Sequence, residues 1–224
     1  MYGMKVTWYG HACFLFDISG NLVLVDPFFK ENPLAPIGPD QIKKVDVLLI
    51  THDHFDHLGD ALEIFERTNA KTTGTPELMT WLTEKGVKNA VGANIGGTVR
   101  LNDISVTLVS AAHTCQVGVC LGFVVSSGDE SVYHAGDTSL ISDMKVVGDL
   151  YKPRVACLPI GGHYTMDIDA AMEAVKMIKP QYVIPMHYGT FDAIKADVNR
   201  FERLVKEKTT AKPIVLKPGE EAEI

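Results

Sequence analysis

The segment Thr51-His52-Asp53-His54-Phe55-Asp56-His57-Leu58-Gly59-Asp60 limits what this chain can become more than any other stretch. Three imidazoles and two carboxylates crowd positions 52–57, directly after Val45–Thr51, which reads as a buried strand. Burying that many polar groups without partners costs about 1–3 kcal/mol each. A metal ion removes the cost; a loop of solvated histidines is the bland alternative. His52 and His54 project from alternate positions and can grip one ion, while Asp56 and His57, at the turn towards a helix, can aim at a second. Two ions ~3.5–4 Å apart are the usual geometry for paired-metal hydrolysis. This loop holds too few ligands for both ions, so the fold must carry others in from distant positions.

Candidates for that role sit just past strand ends, where active-site loops gather. His113 follows the strand Ile104–Ser110, Asp137 follows Ser131–His134, and His187 follows Tyr182–Pro185. Three more histidines are ambiguous. His163, after Val155–Pro159, either reaches the site to orient substrate or protonate a leaving group, or packs on Tyr164. His11 is either a capping group or a contact to substrate or to a ligand. His134 ends its strand and reads as structural. Tyr188 reads as aromatic packing, Asp53 as a hydrogen-bonding loop residue, and Cys115 as no ligand.

The rest of the chain reads as mixed α and β. Short strands open it (Lys5–Tyr9, Phe14–Ile18 and Leu22–Val25), followed by a broken loop with Pro27, Pro33, Pro36 and Pro39. Helical faces follow at Ala61–Phe65 and from Pro76. Val99–Leu101 and Ile104–Leu108 turn at Asn102-Asp103, and Leu121–Ser127 and Ser131–His134 turn at Gly128-Asp129. Helices are expected near Asp169–Ile178 and over Phe191–Lys208, the latter striped by Phe191, Ile194, Val198, Phe201 and Val205, with a last strand at Ile214–Leu216. Hairpins followed by strand–helix units occur once in each half; the pattern alone establishes only mixed α and β, for which two sheets face to face with helices outside, one domain over residues 1–224, is the economical architecture.

Composition narrows the function classes. At 224 residues and 46% hydrophobic, folding buries roughly 70% of the chain's surface without help from a disulfide. The net charge, 21 − 28 = −7, opposes binding to a phosphate backbone. No apolar run approaches the ~20 residues of a membrane span, and the N-terminus lacks the apolar core of an export signal. Cys13, Cys115, Cys120 and Cys157 form no CxxC pair and read as free thiols. The expectation is a cytoplasmic protein acting on a small molecule, with neither nucleic acid nor membrane as partner and a homo-oligomer left open.

The HxHxDH segment, the separated His113, Asp137 in a Gly-Asp-Thr turn and the late His187 together resemble the metallo-β-lactamase superfamily. Gly10-His11-Ala12, Val25-Asp26-Pro27, His134-Ala135-Gly136-Asp137-Thr138 and Pro185-Met186-His187-Tyr188-Gly189 are similar to its ascorbate-6-phosphate-lactonase-like branch, and within it to small metal-dependent hydrolases. The resemblance implies a four-layer αββα sandwich and a dinuclear centre. His52, His54 and His113 would hold one ion, Asp56, His57 and His187 the other, and Asp137 would bridge them. Asp26 would fix a ligand imidazole from behind, although Asp-Pro also opens turns. The implied activity is attack by a metal-bound hydroxide on a small anionic ester, lactone or phosphodiester, with Asp56 or Asp137 taking up the proton. Zinc or manganese suits the ligands best, with nickel or iron also compatible. Di-iron oxygen-reducing branches carry Glu where His54 stands, which favours hydrolysis over the alternatives of an iron redox enzyme or a non-catalytic metal or ligand sensor.

Overall fold

The computed structural model describes residues 3–224. The first sheet is built from β1 (Lys5–Trp8), β2 (Phe14–Ile18), β3 (Asn21–Val25) and β4 (Val47–Leu49). Its alternation is that of a sheet with two covered faces. Phe14, Phe16, Ile18, Val23, Val25, Val47 and Leu49 point into the main core, whereas Leu24, Leu48 and Ile50 point the other way into a second cluster. That second cluster is filled by Ile64 and Phe65 and by Leu78 and Leu82. These come from two of the next three helices, α1 (Phe55–Leu58), α2 (Ala61–Thr68) and, after the short strand β5 (Thr72–Gly74), α3 (Pro76–Glu84). Thr75 caps α3 by accepting from the Leu78 amide, with Pro76 at its first position.

After β6 (Ala90–Gly92), which pairs with β5, the chain lays down the second sheet: β7 (Thr98–Leu101), β8 (Ile104–Ser110), β9 (Leu121–Ser127) and β10 (Glu130–His134) as antiparallel neighbours. Helix α4 (Asp143–Tyr151), β11 (Val155–Pro159), α5 (Ile168–Ile178), β12 (Tyr182–Met186), α6 (Val198–Lys208) and β13 (Lys212–Pro213) complete it as parallel strand–helix units. A final strand, β14 (Glu221–Glu223), returns to pair with β1. The sheet orders are β14-β1-β2-β3-β4 and β13-β12-β11-β10-β9-β8-β7, packed across one shared core. With α2 and α3 outside the first sheet and α4–α6 outside the second, this is the αββα sandwich.

Three local expectations are corrected, and one helix was not expected. The strand expected over Val45–Thr51 is only Val47–Leu49, because the Thr51 amide turns away to Asp26 Oδ1 (2.8 Å). The helix expected over Phe191–Lys208 is divided: a 3-10 turn covers Asp192–Ile194, and α6 begins only after Asp197, whose side chain accepts from the Arg200 amide. Ile214–Leu216 is not a strand; β13 covers only Lys212–Pro213, and the Ile214 amide adds one last bond to β12, to Val183 O at 2.9 Å. Helix α4 escaped notice because apolar residues occupy both of its faces: Met144 and Val147 are buried, Val146 and Leu150 exposed. Among the described residues, no helix is long and apolar enough to cross a membrane, and all four cysteines carry free thiols.

Close packing of α4 on α5 depends on Gly148. A Cβ there would stand 2.5 Å from the Ile178 carbonyl oxygen. Helix propensity alone makes Gly→Ala worth up to about 1 kcal/mol of stability, but overpacking costs about 1–3 kcal/mol. Gly148→Ala should therefore lower the urea-unfolding free energy, by about 1 kcal/mol or more, where propensity would raise it.

Candidate metal centre

Every candidate residue follows the carboxyl end of a strand, and within each sheet those strands run in the same sense. His11 follows β1, Asp26 β3 and His52 β4; His113 follows β8, Asp137 β10 and His187 β12. Backbone bonds tie the two sheets together at this edge: the His187 amide donates to His11 O (2.9 Å) and the Leu121 amide to Thr51 O (3.0 Å). His134 adds a third tie, since its Nε2 lies 2.9 Å from Ala12 O while its Nδ1 accepts from the Gly136 amide. It is a buried strut, not part of the cluster.

The gathered side chains form three overlapping sets whose candidate ligand atoms lie within 4.8 Å of one another: His52, His54 and His113; His11, Asp56, His57 and His187; and His52, His57 and Asp137. The first two coincide with the two groups expected from the sequence, with His11 added to the second. Asp137 stands between them. Its Oδ1 is 3.4 Å from His57 Nε2, and its Oδ2 is 3.6 Å from His113 Nε2 and 3.0 Å from His187 Nε2.

A layer of hydrogen bonds behind these groups sets which ring nitrogens face inward. Asp26, fully buried, accepts from Thr51 Oγ1 (2.8 Å) and from His57 Nδ1 (2.7 Å). The Thr51 hydroxyl is then left to accept from His52 Nδ1 at 3.0 Å, which turns the His52 Nε2 lone pair towards His54 Nδ1, 2.9 Å away. His11 donates through Nε2 to Asp56 Oδ2 (3.0 Å) and meets the Thr190 hydroxyl through Nδ1 (2.9 Å). Thr51 and Thr190 were not singled out from the sequence; a hydroxyl beside a histidine carries no signal until the fold brings its partner.

Charge in this cluster is unbalanced. Asp137 is only 3% exposed, and among the described residues no lysine or arginine pairs with it, with Asp26 or with Asp56. Burial alone would raise the Asp137 carboxyl, but His57 and His187 hold it well below the usual carboxylate range. Burial likewise opposes a charge on His57, yet Asp137 and Asp26 outweigh it and hold that imidazole well above its ordinary value. Asp56 is also depressed: burial opposes its charge, and the His11 hydrogen bond and His57 prevail. Three imidazoles of the cluster go the opposite way, chiefly through burial: His52 and His113 are lowered and His11 is pushed down to about 4. Buried atoms without a hydrogen-bond partner concentrate here: His57 Nε2, Asp137 Oδ1 and both ring nitrogens of His187. Each such atom costs about 1–3 kcal/mol unless something fills its place. Imidazole lone pairs and carboxylate oxygens converging without a cationic side chain fit divalent cations well.

The remaining sequence candidates lie outside the cluster. His163 is exposed, its ring edge-on to Tyr164 at 4.4 Å, and it is Tyr164 that lines the cleft above the cluster. Asp53 accepts from the Gln116 amide (2.9 Å), Cys115 donates to Gly118 O, and Tyr188 stacks on Trp8 at 5.4 Å.

Known proteins share this architecture. Residues 21–188 match the family described as a beta-lactamase superfamily domain. The chain is 44% identical to a UPF0173 metal-dependent hydrolase of Methanopyrus kandleri, over 98% of this chain and 100% of that one. It is 46% identical to a protein of the same description from Caldivirga maquilingensis, over 95% of each. The solved structure of Igni18, a metallo hydrolase from Ignicoccus hospitalis, matches with a TM-score of 0.94 at 41% identity, covering 100% of this chain and 99% of that one.

Two outcomes follow for the metal-free protein. Thr51→Val keeps the shape but removes the donor to Asp26 and the acceptor for His52 Nδ1, and should cost about 1–3 kcal/mol in urea unfolding. His11, His52 and His113 have lowered values in the folded state, whereas unfolded imidazoles protonate near 6.5. Their stabilisation is therefore complete above about pH 6.5 and is lost as the pH falls below it. Urea midpoints of chelator-treated protein should drop between pH 7 and pH 5; a flat profile would contradict these directions.

Proposed function

The chain belongs to the beta-lactamase superfamily, and on that footing we propose that it is a metal-dependent hydrolase whose side chains hold two divalent cations, zinc or manganese suiting the ligand set best. His52, His54 and His113 would hold one, and Asp56, His57 and His187 the other, with Asp137 placed to serve both. The observation that carries this reading is the Asp137 carboxylate, buried between the two imidazole groups with no lysine or arginine beside it among the described residues. Cations bound there would polarise the scissile group and make a water nucleophilic near neutral pH.

The chain's own residues supply the rest. Asp26 holds His57 by Nδ1 and so presents Nε2 to the centre. His11, itself held by Thr190, fixes Asp56 through Oδ2, and no protein donor reaches Asp56 Oδ1 among the described residues. Asp56 borders the cleft and stays ionised at neutral pH, so it is placed to accept a proton from water at Oδ1. Asp137, ringed by three imidazoles, has a holding role rather than a proton-transfer one. Esters, lactones and phosphodiesters are the substrate classes this arrangement suits, since each breaks by attack of water at a polarised carbonyl or phosphoryl centre.

Elemental analysis of protein purified without added metal, with an ester, lactone and phosphodiester panel assayed in Zn²⁺ or Mn²⁺, tests the proposal. Asp137→Ala should lower turnover at least about 10³-fold and reduce the bound-metal ratio from two per chain, with circular dichroism unchanged. Full turnover in that variant would reject the shared-ligand role.

A further inference from the structure

Above its floor of imidazoles and carboxylates, the cleft is walled by aromatic rings. Phe55 lies on α1, between His54 and Asp56 in the chain, and is 61% exposed. Its ring meets the buried Phe28 edge-on at 5.9 Å and Phe191 at 6.3 Å, and the Phe28–Phe191 separation of 6.5 Å closes the triangle. Tyr164, 58% exposed, supplies a further wall. The volume of this open cleft is about 500 Å³, within the range of small-molecule sites. No lysine or arginine lines it.

We infer that the non-reacting part of the substrate is an uncharged apolar group, an aryl ring or a medium-length alkyl chain, lying against Phe55, Phe191 and Tyr164. The water-facing parts of the Phe55 and Tyr164 rings contribute no buried area to the fold, but they gain contact area when an apolar group excludes water from them. A carboxylate or phosphate on that part of the substrate would surrender its hydration to aromatic faces and find no cationic side chain in return. Any negative charge on the substrate is thereby confined to the reacting end, over the cations. Only that end of the inference rests on the hydrolase reading; the walls stand on their own.

The test is calorimetric titration of the zinc-loaded protein with hydroxamates, whose shared head group chelates cations. Acetohydroxamate, hexanohydroxamate and adipic monohydroxamate differ only in what they offer the walls. Hexanohydroxamate should bind at least about tenfold tighter than acetohydroxamate, given about two- to fourfold per buried methylene. Adipic monohydroxamate, of similar length but ending in a carboxylate, should gain little. Phe55→Ala and Tyr164→Ala, both at exposed positions, should shrink the chain-length gain. Equal affinities along the series, or preference for the carboxylated member, overturn the inference; a face that serves only as a contact between copies would give the same flat series. Turnover scored in parallel separates the two readings. A chain-length effect without hydrolysis removes the hydrolase and keeps the walls, whereas hydrolysis with a flat series does the reverse. No hydroxamate binding at all overturns both.

Discussion

A buried carboxylate with no lysine or arginine beside it among the described residues sits where the two sheets meet, and the surrounding structure is arranged about it. Asp137 leaves the end of β10 with its oxygens 3.0–3.6 Å from three imidazoles. Behind His57 stands a second buried carboxylate, Asp26, fed by the Thr51 amide and hydroxyl. An imidazolium at His57 is the one internal charge that faces both acids. A single proton there cannot balance two carboxylates in a low-dielectric interior, where charges must be paired to be tolerated. Divalent cations held there would displace that proton from His57 Nε2 and supply the positive charge that one imidazolium cannot.

Backbone strain marks the same place. His11, Asp26 and His187 all adopt left-handed φ values of 55°, 48° and 53° without being glycine. Such conformations cost about 1–3 kcal/mol each and persist only where the surroundings over-determine them. Here the surroundings are the inter-sheet bond from the His187 amide to His11 O and the main-chain bond from the Asp26 amide to Leu49 O. Each strained residue is the first or nearly the first after a strand, so the turn that re-aims its side chain towards the centre is also the turn that strains it. The sandwich core can bear that cost because its stability comes from the apolar alternation of β2, β3 and β4 and from the helices outside, well away from the edge.

The positions of the ligand-type residues were legible in the sequence because two periodic signals coincide there. Alternating apolar strands announce where each strand ends, and His or Asp at those ends is conspicuous against them. The same logic recovered the mixture of strands and helices; the four layers rested on the resemblance to the metallo-β-lactamase superfamily. It failed where tertiary contacts override local pattern. Phe191 fits the helical stripe of Val198, Phe201 and Val205, yet Asp197 caps the helix below it and leaves the ring to the cleft. His163 was drawn forward by its place after β11, but its neighbour Tyr164 takes the cleft wall. Phe55 lies inside the most informative segment of the chain and still gave no sign of its exposure, since an aromatic flanked by ligands looks the same in sequence whether it faces core or solvent.

This division separates what fixes chemistry from what fixes choice. The ligand-type side chains hang from strand ends, held from behind by Asp26, Thr51, Thr190 and their hydrogen bonds. The aromatic walls hang from the one-turn helix α1, from the loop after β11 and from the segment released ahead of α6. Loops and short turns accept substitution with little cost to a core they do not enter, so the walls can vary while the centre stays put. Phe55 is the exception that couples the two: its backbone lies between His54 and Asp56, so a change that moves α1 moves wall and ligands together. On the inference drawn from the aromatic walls, specificity would therefore be freest at Tyr164 and Phe191 and most constrained at Phe55.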